Sequence, residues 1–184
     1  MYIETDRLEL KPFRLDYAEA FAKALQYPEI YAYLPEDVPF LKDIEAIIKW
    51  FIKRDQDNME TGFTGTNLSI HLKETCEIIG WCGLQPFEPE PCKTEIFYGL
   101  TPVYWNKGLI TEAASAVLDY GFSGVHMEEI VAGVKPQNIA SIRVLEKIGM
   151  RYVKTLRHVP NGSEFYANEW VYAFTKDRYF GTKP

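Results

Sequence analysis

Apolar residues recur along this chain in two alternating rhythms, and that alternation restricts the fold more than any other feature. Residues 7–14 (RLELKPFR) set Leu8 and Leu10 between charged neighbours, the every-second-residue pattern of a half-buried strand. Asp16 then reads as the N-cap of a helix that Pro28 stops near Tyr27. Asp43 reads as the cap of a longer helix to about Arg54, with Ile44, Ile47, Ile48 and Phe51 at helical spacing. Between them, 28–40 (PEIYAYLPEDVPF) is a loop or short helix, and Gly62 to Gly65 break the pattern. Strands are expected around Leu68–Leu72, at Cys76–Gln85 and at 93–101 (KTEIFYGLT), with a rigid extended loop at Pro86–Pro91. A helix over 109–122 carries Ile110, Ala113, Ala114, Val117, Leu118 and Gly121 as one stripe. A strand at Ile130–Val134 leads to a helix capped by Asn138 and ended by Gly149. Residues 150–159 and 164–175 flank Asn161-Gly162, the strongest hairpin signal in the chain. The order β-α-α-β-β-β-α-β-α-β-β belongs to an α+β (mixed α/β) architecture.

At 184 residues the chain has room for one such domain, 1–184. Surface scaling has about 70% of the unfolded surface buried on folding, and 47% hydrophobic residues supply the material. The net charge of −6 lacks the basic footprint of a nucleic-acid binder, so no nucleic-acid partner is expected. Cys76, Cys82 and Cys92 follow no metal-ligand spacing, so no metal is expected and the thiols read as reduced. The opening Met1–Arg7 carries acids where a secretion signal needs bases and an apolar run, and no stretch is apolar enough to span a membrane. A cytoplasmic protein is expected, as a monomer or homodimer.

Two units carry chemistry. The first is strand 93–101, loop 102–107, Gly108 and the helix from Leu109. A helix start exposes unpaired N–H groups and the positive end of the helix dipole, and a glycine before it lets the backbone curl toward one point. That arrangement suits a pyrophosphate, although a glycine that merely turns the chain has the same appearance. Neither GxxxxGK[ST] nor GxGxxG is present, which removes the P-loop and dinucleotide-binding readings. The second unit is PQNIASIRVLEKIGM at 136–150, in which Asn138 is an N-cap and Ser141 a first-turn polar residue.

Together these units resemble the GNAT superfamily of acyl-CoA-dependent N-acetyltransferases, and within it the ribosomal-protein (RimJ/RimL-like) branch. ETDRLELKPF at 4–13, EIIGWCGL at 77–84, TEIFYGLTPVYWNKGLITEAASAVLDYGF at 94–122 and PQNIASIRVLEKIGM at 136–150 match its segments in order, so the resemblance spans essentially the whole chain. It implies a seven-stranded mixed twisted sheet flanked by helices, with the fourth and fifth strands splayed around the arm of acetyl-CoA, the co-substrate. By position, Tyr98, Gly99 and Leu100 would pair with the pantetheine amides. Asn106, Lys107, Gly108, Leu109, Ile110 and Thr111 would hold the pyrophosphate, and Asn138 would contact the pantetheine arm. Three residues depart from the superfamily pattern: Ile110 replaces a small residue, Phe97 stands where Gly is usual, and Leu145 occupies the position at which many members place a tyrosine that acts as the acid.

Acetyl transfer to an amine acceptor, a protein N-terminus or a small molecule, needs a deprotonated nitrogen, a stabilised oxyanion and a stabilised leaving thiolate. Backbone N–H groups of 97–100 are the natural oxyanion donors, and Ser141 the candidate at the thiolate, a solvent-facing serine being the alternative. Glu95 shares a strand face with Phe97 and Gly99 and is the candidate base, acting directly or through water. His71 is the other candidate base, water alone suffices for many amines, and an edge carboxylate in an ion pair is the structural alternative for Glu95. An acyl-CoA-binding module without turnover, or an interaction protein without nucleotide, are the competing readings of the chain.

Overall fold

The computed structural model describes residues 1–34, 43–61, 63 and 65–182. The chain forms β1 (Ile3–Glu4), β2 (Leu8–Pro12), α1 (Ala18–Ala24), α2 (Ile44–Thr61), β3 (Thr66–Leu72), β4 (Ile78–Phe87), β5 (Glu90–Leu100), α3 (Leu109–Asp119), β6 (Glu129–Val134), α4 (Ile139–Lys147), β7 (Arg151–Thr155), β8 (Trp170–Thr175) and α5 (Lys176–Thr182). The strands make one mixed sheet in the order β1-β2-β3-β4-β5-β6-β8-β7. The sheet has eight strands where seven are expected, because the Thr5–Leu8 turn folds Ile3–Glu4 back onto β2.

Strand alternation sorts the side chains onto two faces. On one, Leu8, Leu68, Ile70, Cys82, Leu84, Ile96, Ile130 and Phe174 pack under α3 and α4 with Ala113, Ala114, Val117, Leu118, Ile142 and Leu145. On the other, α1 and α2 cover Phe13 and Ile78 with Phe21, Leu25, Ile47, Ile48 and Phe51. Among the described residues no helix is long and apolar enough to cross a membrane.

Local signals hold where nothing distant competes with them. Asp43 Oδ1 accepts from Ala46 N (2.9 Å) and so caps α2, which runs past Arg54 to Thr61 because no Gly or Pro intervenes. Asn138 caps α4, and Gly149 leaves the helix at φ +93°. Asp16 does not cap α1: Arg14 takes both its oxygens (2.9 Å each), and the helix begins at Ala18 after a 3₁₀ turn. The segment after Tyr27 opens with a 3₁₀ turn at Pro28–Ile30; residues 35–40 of that expected loop, and Gly62, lie outside the described residues.

Pro86–Pro91 is not a loop but the end of the β4–β5 hairpin, with a bulge between Pro86 and Phe87. Burial of the Phe87 ring against Val131, Leu156 and Val171 draws the segment into the sheet. Asn161-Gly162 does form a turn, Ser163 N donating to Pro160 O (3.0 Å), but inside a long connection rather than at the tip of β7–β8. Ser163 Oγ and Tyr166 Oη both donate to Glu88 (3.1 Å each), which anchors that connection on the β4–β5 turn.

Replacing Asp43 with Ala is expected to lower unfolding free energy by about 1 kcal/mol, read as a fall in Tm of about 2–4 °C, because the first turn of α2 loses its side-chain acceptor. An unchanged Tm would mean that the cap contributes nothing.

Candidate functional site

β5 and β6 run parallel but pair only at Thr94–Ile130 and Glu95–Val131, after which they separate. β5 stays paired with β4 as far as Leu100, and β6 with β8 along its full length. A cavity of about 710 Å³ follows the separation, lined by β5 from Glu95, the end of β6, and the starts of α3 and α4. Thr101 N donates to Ile79 O (2.8 Å), so by strand alternation the N–H and C=O of Tyr98 face away from β4, into the gap. Such groups need a partner, and here the sheet supplies none. Trp105 Nε1 donates to Leu100 O (2.6 Å) and closes the far end.

The loop before α3 curls as its glycine suggests. Asn106 has φ +59° and Gly108 φ +76°, both in the left-handed region that Gly, and next Asn, tolerate. Gly108 is the N-cap of α3 and offers no side chain to the first-turn amides. Gly108, Leu109, Ile110 and Thr111 line the cavity, so unpaired N–H groups and the dipole of α3 meet there. Leu109 is fully buried while Ile110 is partly buried against the core, which keeps its branched side chain off the amides. Lys107 does not line the cavity: its ammonium lies 5.1 Å from the Tyr104 ring centre and its carbonyl accepts from Arg7 (2.9 Å).

On the α4 side, Asn138 Oδ1 accepts from Ser141 N (3.1 Å), and Ser141 Oγ lies 3.0 Å from Tyr98 Oη. Tyr98 Oη also lies 3.3 Å from Ser141 O, which accepts from it. Burial pushes the Tyr98 phenol well above its ordinary range, so it stays a neutral donor. Leu145 belongs to the core. The Tyr98 side chain, expected only for its backbone, is thus a second hydroxyl beside Ser141; its place on the strand face opposite Glu95 was readable from period two, its partner was not.

Glu95 lines the cavity on the other face of β5 and is 7% exposed. Burial pushes its carboxyl from the ordinary 4.5 up to about 7; a hydrogen bond from Gln85 opposes the shift, and the charges of Glu169 and Glu88 add to it. Gln85 Nε2 donates to Glu95 Oε1 at 2.7 Å, while Arg54 Nη1 makes a longer bond (3.5 Å) to Gln85 Oε1. Arginine only donates, so the amide must present its oxygen to Arg54 and its N–H to Glu95.

Glu169, 4% exposed, enters the same cavity and pairs with Lys135 (3.4 Å). Gly133 makes room for it, since an added Cβ would stand 2.4 Å from Glu169 Oε2. Trp81 lies against Gly99, where an added Cβ would meet its ring at 2.2 Å. Gln85 and Glu169 escaped the sequence reading: the first needs cross-strand register, and the second carries no local signal. His71 is buried beneath Tyr17, bonded to Ser69 Oγ (2.9 Å), and does not line the cavity. Every other residue singled out from the sequence for binding or catalysis, Lys107 excepted, lines this one cavity: Glu95, Tyr98, Gly99, Leu100, Asn106, Gly108, Leu109, Ile110, Thr111, Asn138 and Ser141.

The family model described as "Acetyltransferase (GNAT) domain" matches residues 7–151. Over 180 residues the chain is 31% identical to the uncharacterized N-acetyltransferase YnaD of Bacillus subtilis, covering 97% of this chain and 99% of that one. The ribosomal-protein-S5-alanine acetyltransferase from Vibrio fischeri shares the fold with a TM-score of 0.76 at 15% identity, covering 100% of each chain. The microcin C7 self-immunity acetyltransferase MccE, solved in complex with acetyl-CoA and AMP, aligns with a TM-score of 0.73 at 20% identity over 93% of each chain.

The raised Glu95 carboxyl ties stability to pH. Its contribution is complete below 4.5 and is lost as pH rises through about 7, because the fold favours the neutral acid. Glu95→Gln, which cannot ionise, is therefore expected to gain on the wild type by about 2–3 kcal/mol between pH 5 and 8.5 in denaturant titrations. Parallel stability curves would show that the carboxyl titrates normally.

Proposed function

Because the chain belongs to the GNAT acetyltransferase family, and is therefore an acetyl-CoA-dependent acetyltransferase, we propose that it acetylates a primary amine by direct attack within a ternary complex. One observation carries this reading: Glu95 and the Ser141–Tyr98 hydroxyls line one cavity between β5 and β6, Glu95 and Tyr98 on opposite faces of β5. The donor supplies an activated acyl thioester when bound, so no covalent bond to the protein is required.

The gap suits that donor. The first-turn amides of α3 and the curl at Asn106–Gly108 form an anion cradle. Arg143 and Lys147 line the same cavity from α4 and add positive charge for phosphates. The C=O of Tyr98 and the N–H of Leu100, on the same edge of β5, offer one acceptor and one donor for the amides of the arm. Asn138 spends Oδ1 on Ser141 N and keeps its amide N–H groups for the arm.

Glu95 removes the proton from the acceptor ammonium, with Oε1 held by Gln85 and Oε2 as the proton acceptor. A carboxyl near 7 is half ionised at neutral pH, which suits a base for an amine. Tyr98 N–H stabilises the charge that develops on the acyl oxygen. In this step Tyr98 Oη–H donates to Ser141 Oγ rather than to Ser141 O, which leaves Ser141 Oγ–H to donate to the departing sulfur. Outright proton transfer from this pair to a thiolate runs uphill, since a thiol ionises near about 8.5 and the buried phenol well above it. The pair therefore acts by hydrogen bonding.

The segments at 4–13 and 94–122 support a RimJ/RimL-like reading, and with it the α-amino group of a protein N-terminus as acceptor. A panel of peptides with free N-termini, polyamines and aminoglycosides, followed by mass detection and free-thiol release, tests it. Binding of acetyl-CoA without turnover on any amine would overturn it in favour of a non-catalytic module. Ser141→Ala is expected to lower kcat by roughly 10–100-fold, the worth of one hydrogen bond to a charged group, with acetyl-CoA affinity retained. Full activity in that variant would remove Ser141 from the mechanism.

A further inference from the structure

The chain's N-terminal segment reaches the anion cradle. Arg7, between β1 and β2, donates from Nη1 to Lys107 O (2.9 Å) and from Nε to Glu112 Oε2 (2.7 Å), with Nη2 2.6 Å from the same oxygen. Glu112 Oε1 accepts from Arg7 N (2.9 Å) and Thr5 Oγ1 (2.6 Å). Although burial acts to raise the Glu112 carboxyl, these bonds from Thr5 and Arg7 outweigh it and hold the group below its usual range. Glu112 lies in the first turn of α3, where its charge suits the helix dipole but opposes any anion bound at the same end.

The bond to Lys107 matters because of what shares that peptide plane. In a trans peptide the C=O of Lys107 and the N–H of Gly108 point in opposite directions. A carbonyl drawn to Arg7 therefore turns the Gly108 N–H the other way. Without that tether the unit can turn about the ψ of Lys107 and the φ of Gly108, a glycine in the left-handed region, and present its oxygen to an anion instead. An added Cβ at Gly108 would meet Arg7 Nη2 at an ordinary 3.6 Å, so conformation and not crowding calls for glycine there.

We propose that Arg7 is a positioning residue for the diphosphate of coenzyme A: it locks the 107–108 peptide with its N–H toward the anion and neutralises Glu112 beside it. This rests on the reading that the loop holds the diphosphate. Calorimetry with coenzyme A and with pantetheine, which lacks the diphosphate, tests it on the full chain. Arg7→Ala is expected to weaken coenzyme A about tenfold and to leave pantetheine unchanged, with Arg7→Lys recovering part of the loss. If Arg7→Ala does not fold, as judged by circular dichroism, Arg7→Lys alone must still show the loss confined to coenzyme A. Equal weakening of both probes, or none, overturns the proposal while the cradle reading stands. A wild type that binds coenzyme A no better than pantetheine overturns both.

Discussion

The structure depends on a pairing that is begun and then abandoned. β5 and β6 share register at Thr94–Ile130 and Glu95–Val131 and diverge beyond them. A backbone whose pairing stops short leaves polar groups to be satisfied elsewhere. Each strand is held on its other side, β5 by β4 and β6 by β8, so neither can close the gap without breaking a longer ladder. The helices that follow the two strands, α3 and α4, start at the mouth of this gap and bring their N-termini to it.

Charge is divided across the gap. Unpaired amides stand where α3 starts, and Arg143 and Lys147 line the cavity from along α4; Glu95 on β5 and Glu169, the residue before β8, line it as well. A polyanionic donor and a cationic acceptor are the pair that such a division receives. The same division works against the folded state, because two carboxyls are held out of water and only Glu169 has a cation beside it. The burial that would suit Glu95 to the proposed role of proton acceptor is the burial that penalises its charge, so in that role reactivity and stability oppose each other at one side chain.

How much of this was legible in the residues depends on the distance over which each interaction acts. Gly108 and Asn138 announce themselves within four residues, as a left-handed start and a side-chain cap, and α3 and α4 begin where they say. Glu95 follows from period two along one strand. Gln85 needs the register of β4 against β5, and Glu169 needs the whole course of the 156–169 connection, which the Asn161-Gly162 signal misrepresents as a hairpin tip. Asp16 failed as a cap because Arg14, two residues away, offers a bidentate partner that a backbone amide cannot match. Arg7 and Glu112 stand 105 positions apart, beyond any local rule.

A β-sheet that is left incomplete in its middle makes this molecule's durability answer to its surroundings. Whatever lies along the bare margin of β5 binds the folded chain and not the unfolded one, and at a hundred times its dissociation constant that adds about 2.7 kcal/mol. In a cell rich in the donor the protein is a sturdier object than in one that is starved of it. Occupancy of the gap and resistance to unfolding are thereby joined through a few unmade hydrogen bonds.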